Sequence, residues 1–355
     1  MTNFIKKAVE VGFDKRVKPS MLLSNLFKTD MLDGIKVEIQ GRVVKSIYSV
    51  DVELGTGGRR VDLSSFDKQD FTVPEYNNYA VINEEDMFKA QLGETEYSSQ
   101  VANIAKLIND KQDPISDMHR RAEEKQAADA LFQGKIVLAN GTKIEFNKKA
   151  THDIDCTSHK WNQSSTKACG QIADACKLIV DDGLVSGGEF DLWLEDKGLH
   201  ALLANPDFRD NADVNKGINR TNVGKPIEKT PGGTFHGQIS IDSFVINIWT
   251  YNGKYEIPKG YQFANEGKKV TYIPSGSALI LPTDVNFKKY YGAINNVNAQ
   301  GTNGGSKLQL VKKEQLAYAY DEVRGGSAVT IAGVKSRPLY VPVDVDSFVT
   351  FKNLV

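Results

Sequence analysis

The sequence predicts an α+β fold of about two lobes. Three observations predict it. The chain has 355 residues, enough for a full core and more than one lobe usually needs. A helical apolar period runs through residues 101–131, with extended, alternating runs before and after it. The last twenty residues, Ser336–Val355, form two short apolar runs, Leu339–Val345 and Phe348–Val355, joined by an acidic turn. Free termini usually fray, but a β-branched, regularly alternating one is expected to pair into a sheet and stay there.

Composition narrows the function classes. The 44 Lys/Arg nearly balance the 45 Asp/Glu, so the chain is no general polyanion binder and any DNA contact must be local. No apolar run approaches the roughly 20 residues of a membrane-spanning helix, and the start Met-Thr-Asn-Phe-Ile-Lys-Lys lacks the pattern of a signal peptide. Cys169 and Cys176 lie seven apart in a helical pattern, about 10 Å of rise, too far for a disulfide. With Cys156 they read as small buried hydrophobes in a reducing compartment.

Residues 1–50 carry nine Lys/Arg against five Asp/Glu. Lys18–Phe27 predicts a short amphipathic helix, with Pro19 in its first turn and Leu22, Leu23, Leu26 and Phe27 on one stripe. Residues 35–54 alternate as a strand. Residues 54–82 begin Gly55-Thr56-Gly57-Gly58-Arg59-Arg60 and carry few large apolar residues; flanking strands at 43–54 and 71–82 predict a long two-stranded loop with a flexible tip. A hairpin of that kind is marginal alone and is expected to lie on something, such as another subunit.

Val101, Ile104, Ala105 and Ile108 then match a helical stripe, and Ile115, Met118, Ala122 and Leu131 a second one after Asp113-Pro114. This is one helix kinked at Pro114 or two, ending near Gly134. Its charged run Arg120, Arg121, Glu123, Glu124, Lys125 reads as solvated surface. Asn140-Gly141 marks a hairpin within 135–146. Residues 147–165 read as irregular, 166–182 as a helix stopping at Gly183, 190–194 as a strand and 197–204 as a short helix. Residues 205–234 read as a polar loop, 238–251 as strands, Asn252-Gly253 as a turn, 268–273 and 278–282 as strands, and 292–305 as a loop or the end of a long hairpin. No internal repeat is present.

Motifs for chemistry are sparse. His152-Asp153-Ile154-Asp155-Cys156-Thr157-Ser158-His159 contains residue types that bind zinc, but the spacing fits no ligand pattern and the segment reads as a polar loop. Cys156 with either histidine lacks a third, orienting group for nucleophilic catalysis. There is no P-loop, dinucleotide fingerprint, His-Glu-x-x-His or Gly-x-Ser-x-Gly. The expectation is a non-enzyme with no catalytic site, cofactor or metal.

The C-terminal segment, with its pre-proline apolar strand, Asp-x-Asp-x-Phe turn and Val-rich finish, closely resembles the end of lambda-type major capsid proteins of tailed bacteriophages. Further matches follow in the family's order: Gly57-Gly58 near the start of a long loop; a long helix ending in Phe132-Gln133-Gly134-Lys135; Tyr251-Asn252-Gly253 as an aromatic-x-Gly hairpin turn; Lys268-Lys269, Tyr272, Pro274 and Leu279-Ile280-Leu281; and Tyr291-Gly292. Residues 205–234 and the first twenty match poorly, and no crosslinking Lys–Asn pair is evident.

The resemblance implies a Hong Kong 97-like phage capsid fold. Its parts would be an N-terminal arm (1–45), an extended loop (46–92), a peripheral domain with a spine helix (93–164 and 286–334) and an axial domain (165–285 and 335–355). It implies self-assembly into the pentamers and hexamers of an icosahedral head enclosing double-stranded DNA without sequence specificity. The location would be the virion, after assembly in the bacterial cytoplasm. Implied partners are a separate scaffolding protein, since no long scaffold-like extension precedes the arm, a portal, and a decoration protein as an optional addition. Assembly residues would be Gly55, Gly57, Gly58, Arg59, Arg60 and Phe66 in the loop, and Lys15, Arg16, Leu22 and Phe27 in the arm. A non-viral encapsulating shell of the same fold is the alternative, and an enzyme of unknown class comes third.

Overall fold

The computed structural model describes residues 21–44, 64–86, 100–138, 141–183, 188–212, 221–222, 227–230, 233–260, 266–296, 309–324 and 326–355. The chain starts with β1 (Phe27–Met31), β2 (Lys36–Val44), β3 (Ser64–Thr72) and β4 (Tyr76–Ile82), then the long helix α1 (Gln100–Gln133). Next come β5 (Lys135–Val137), β6 (Lys143–Glu145), β7 (Asp153–Asp155), α2 (Ala168–Gly183), β8 (Glu189–Leu194), α3 (Asp196–Ala204) and α4 (Pro206–Ala212). Strands β9 (Thr221–Asn222), β10 (Ile227–Thr230), β11 (Gly233–Ile241), β12 (Phe244–Tyr251), β13 (Lys254–Glu256), β14 (Lys269–Thr271) and β15 (Ala278–Pro282) follow. The rest is β16 (Phe287–Tyr291), β17 (Ile294–Asn295), β18 (Leu310–Val311), β19 (Gln315–Arg324), β20 (Ser327–Ser336), β21 (Pro338–Val341) and β22 (Val349–Lys352).

These elements fall into two units. The first draws its described residues from 1–35, 72–128 and 288–341, the second from 36–71, 129–287 and 342–355.

In the first unit, α1 up to Ala128 packs on the antiparallel sheet β19–β20–β4. Small residues let helix and sheet approach: Ala317, Ala319, Ala332 and Val334 meet Ile108 and Ile115, with Ile82 beside them. A polar seam runs beside this apolar strip. Gln112, Ser116, His119, Glu123 and Gln126 recur at alternating four- and three-residue steps, which places them on one helix face, and all five are buried. Gln112 Nε2 donates to Tyr318 O at 2.9 Å, Ser116 Oγ to Gln315 Oε1 at 2.7 Å, and Gln126 Nε2 to Tyr76 Oη at 2.7 Å. His119 Nε2 meets Asn78 Oδ1 at 3.0 Å, and burial lowers its pKa to about 4. Paired polar groups of this kind fix one register, because a slipped one strands buried donors. A second sheet, β1–β16–β21, completes the unit.

The second unit is built on an eight-stranded mixed sheet ordered β10–β11–β12–β8–β15–β22–β7, with β9 also on β11. β12/β8 and β22/β7 are parallel; β15 is antiparallel to both β8 and β22. All five residues of β15, Ala-Leu-Ile-Leu-Pro, are buried, as expected of a strand covered on both faces. One face carries α2, α3 and α4 through Ile172, Cys176, Ile179, Leu202 and Phe208 against Phe190, Leu192, Ile246 and Ile280.

Several expectations hold. The C-terminal runs are strands, β21 pairing with β16 and β22 lying between β15 and β7. The helical runs on either side of Pro114 are one helix. Gly134 follows it with φ of 65°, the left-handed stop that glycine adopts without cost. The Asn140-Gly141 hairpin pairs β5 with β6. The strands expected within 238–251 are present as β11 and β12, paired across a turn at Asp242-Ser243.

Others are corrected. Of the helix expected over 18–27, the described part is a single 3₁₀ turn, Ser24–Leu26, because Phe27 enters a sheet ladder. Residues 64–70, expected in a flexible tip, are strand, and Pro74 divides the expected 71–82 strand between β3 and β4, which pair with β2 and β20. Residues 147–165 include β7, and 205–234 include α4, β9 and β10. Asn252-Gly253 is a break rather than a hairpin turn, since β13 pairs with β14 instead of β12. Glu123 and Glu124 are buried, not solvated.

Candidate assembly elements

Two segments expected to act between subunits can be built from their anchored ends. The extended loop leaves on β2 and returns on β3, which pair as a two-stranded ribbon. At its base Val73 N donates to Ile35 O at 2.9 Å, with the Val73 side chain buried. Where β3 ends, Phe71 packs edge-on to Phe146 with centroids 5.8 Å apart. Phe66 lies near the start of β3. Gly55, Gly57, Gly58, Arg59 and Arg60 lie outside the described residues. Two strands without a third cannot bury a core of their own.

The root of the arm begins at Met21; Lys15 and Arg16 lie outside the described residues. Leu22 and Phe27 are buried inside the first unit, Phe27 edge-on to Tyr340 at 5.1 Å. Anything they add to assembly therefore comes through holding the root. The backbone N–H groups of Leu23 and Ser24 donate to the two carboxylate oxygens of Glu124, each at 2.9 Å. Its neighbour Glu123 accepts from Tyr291 Oη at 2.8 Å and Tyr340 Oη at 3.1 Å. Burial raises the Glu123 pKa, opposed by the Tyr291 hydroxyl, the Lys289 charge and the Tyr340 hydroxyl. Sequence reasoning missed both carboxylates: a run of five charged residues on a helix has solvation as its default reading. Their partners lie about a hundred residues or more away in the chain.

The segment with zinc-type residues is structural in detail. His152 is fully buried, with Nδ1 3.0 Å from Phe348 O and Nε2 3.1 Å from Asp182 Oδ2. Asp153 pairs with Lys148 at 2.6 Å and Lys352 at 2.5 Å. Burial lowers the Lys148 pKa to about 8, with Asp153 partly opposing. Burial acts to raise that of Asp153, but hydrogen bonds from Lys148, Lys352 and Thr350 outweigh it and bring the value to about 2. The thiols of Cys156, Cys169 and Cys176 are buried, which pushes the first to about 11 and the others to about 12. Such buried, protonated thiols are poor nucleophiles. Among the described residues no group of three or more His, Cys, Asp or Glu could hold a metal.

Comparison with known proteins follows from this architecture. The chain is similar over 99% of its length, at 13% identity and a TM-score of 0.66, to a protein described as a prophage capsid protein of Escherichia coli CFT073, of which 98% is covered. It is also similar over 99% of its length, at 10% identity and a TM-score of 0.51, to a phage-related protein of Bordetella bronchiseptica RB50, of which 96% is covered. At these identities the likeness shows the fold, which is the Hong Kong 97-like one. No curated protein matches the chain in sequence. The profile of one family, phage major capsid protein E, matches residues 15–353. The chain belongs to that family.

Proposed function

We propose that this chain is the major capsid protein of a tailed-phage head, assembling as pentamers and hexamers into an icosahedral shell around double-stranded DNA. The observation that carries the reading is the family match across residues 15–353. The site chemistry agrees, since the unusual groups are spent on structure: His152 on Asp182 and a carbonyl, Lys148 on Asp153, the cysteines on the core. The proposed chain is not an enzyme and holds no cofactor. In this reading α1 is the spine helix; the peripheral domain (93–164 and 286–334) draws on the first unit and on residues 129–164 of the second, and the axial domain (165–285 and 335–355) lies mostly in the second. It acts in the virion after assembly in the host cytoplasm, with a scaffolding protein, a portal and, in some heads, a decoration protein.

Within that reading the loop between β2 and β3 reaches an adjacent subunit, with Gly55, Gly57 and Gly58 shaping its tip and Arg59 and Arg60 meeting carboxylates there. Each exposed pair contributes only about 0–1 kcal/mol, so closure depends on many copies acting together. Lys15 and Arg16 of the arm face DNA or acidic protein surface. The test is deletion of residues 56–69, which takes out the segment before β3 and Ser64–Gln69 of β3 itself, with the ends rejoined by a short turn. The expected product is a soluble, cooperatively folded subunit that no longer closes into shells in negative-stain images. Normal shells from the deletion would make the loop a passive surface feature. An unfolded subunit would make it part of the core.

A further inference from the structure

Glutamate is common in helices, but Glu124 of α1 is unusual in its burial. Its side chain is fully buried, and burying a carboxylate is costly unless hydrogen bonds satisfy it. Here both oxygens are satisfied by consecutive backbone amides, Leu23 N and Ser24 N. Those amides stand at the start of the 3₁₀ turn Ser24–Leu26, where the N-terminal residue, Leu23, supplies no side-chain cap. Free amides at such an end need an acceptor, and α1 provides it from a hundred positions along the chain. Charge-assisted bonds to a carboxylate are roughly twice as strong as neutral ones.

The downstream part of the segment is held by other means. Phe27 begins β1, which pairs with β16, its ring rests on Tyr340, and Leu32 N donates to Tyr291 O at 2.9 Å. Among the described residues upstream of Phe27, two bonds to Glu124 tie this stretch to the rest of the unit, supported by the buried Leu22 and Leu23 side chains. The turn's other bonds, Ser24 Oγ to Met21 O and Leu26 N to Leu23 O, stay within it. Immediately before it stand Lys6, Lys7, Lys15, Arg16 and Lys18.

We infer that Glu124 is a positioning residue for shell assembly: its carboxylate clips residues 21–26 to α1 and so fixes where the basic N-terminal arm leaves the subunit. Opening the clip frees this stretch while β1 and the rest of the unit stay folded. The assembly half of the inference rests on the arm reading given above.

The test uses the full chain with Glu124→Gln, which keeps the shape but offers one acceptor oxygen in place of two, and Glu124→Asp, which keeps the charge but is one methylene too short. Amide hydrogen exchange is followed on unassembled subunits, and shells are counted by electron microscopy. Exchange at Leu23 and Ser24 should accelerate by about tenfold or more, amides of β20 should change by less than about twofold, and closed shells should be lost. Unchanged exchange at Leu23 and Ser24 would overturn the clip. Acceleration that spreads equally to β20, or failure of both variants to fold, would make Glu124 an ordinary core residue and overturn it too. Local release with normal shells would overturn the positioning role. A chain lacking residues 2–20 is imaged in parallel; normal shells from it would refute the arm reading itself, while the exchange data still decide the clip.

Discussion

Replacing Asp153 by Asn should destabilise the second unit, and by an amount that depends on pH. The Lys148 side chain is 4% exposed and its partner Asp153 28%. At their 2.6 Å separation, an effective dielectric near 20 gives a gross attraction of about 6 kcal/mol. Desolvation consumes much of it, since Lys148 titrates at about 8 even with its partner present. Breaking a fully buried pair costs about 3–5 kcal/mol. With Asp153 partly solvated, the loss at pH 7 should be about 2–3 kcal/mol.

The pH dependence follows from linkage. Lys148 has its folded pKa depressed to about 8, below the usual lysine value, so stability from this group is least below pH 8 and rises towards the unfolded value. Loss of Asp153 removes a contribution that raises the Lys148 pKa. The variant therefore sheds this proton at lower pH than the wild type, and the gap between them narrows from pH 7 to pH 9. It narrows in acid as well: Asp153 stabilises the wild type fully above its unfolded pKa, and that stability is lost as pH falls through about 2. All three tryptophans, Trp161, Trp193 and Trp249, belong to the second unit, so urea unfolding read by tryptophan fluorescence reports this unit selectively. A loss below about 0.5 kcal/mol at pH 7, within the range of ordinary surface substitutions, or a loss that does not shrink at pH 9, would refute the reasoning. Adding Lys148→Met should recover most of it, because it removes the buried ammonium that the first substitution leaves without its carboxylate.

Three further outcomes are expected. Gly333→Ala places a Cβ 2.5 Å from the Tyr318 ring and 2.9 Å from Asn78 O, and should cost about 1–3 kcal/mol, measured as faster exchange of β20 amides. Phe351→Ala removes a fully buried ring packed 5.5 Å from Trp161, and should cost about 3–5 kcal/mol with a lowered urea midpoint. In the native subunit Cys156, Cys169 and Cys176 should resist a thiol reagent at pH 8 and all react in urea, given pKa values of about 11 to 12; rapid native labelling of any one would contradict its burial.

How much of this was legible beforehand depended on where the partners of each residue lie. The helix over 101–131 and the hairpin at Asn140-Gly141 rest on local signals, a 3.6-residue period and a turn dipeptide, and both are present, although the period leaves one helix or two open at Pro114. The C-terminal strands, whose alternation is local too, are also present, although the sheets they join are not deducible from it. Segment 205–234 failed because its elements are short: α4 has seven residues and β9 two, below the length at which periodicity registers. Glu123 and Glu124 failed for a deeper reason. A buried carboxylate and an exposed one look alike in sequence, and only the tertiary fold brings Tyr291, Tyr340, Leu23 and Ser24 to them. In the loop and arm, Gly57-Gly58 stands out through composition and the family resemblance, and the basic residues through their charge count.

The position of β22 sets an order of events during synthesis. It lies between β15 and β7, yet it follows both in the chain, and every other strand of that sheet as well. A nascent polypeptide that has emerged only as far as β21 has a gap inside its largest sheet, with β15 and β7 each offering an unpaired edge. Prematurely terminated translation products share that defect and expose the hydrophobic wall that Phe348, Val349 and Phe351 would cover. Subunits complete to β22 thus differ from shortened ones in surface stickiness as well as in length. That difference gives the cell's chaperones and proteases a means of clearing the shortened chains first.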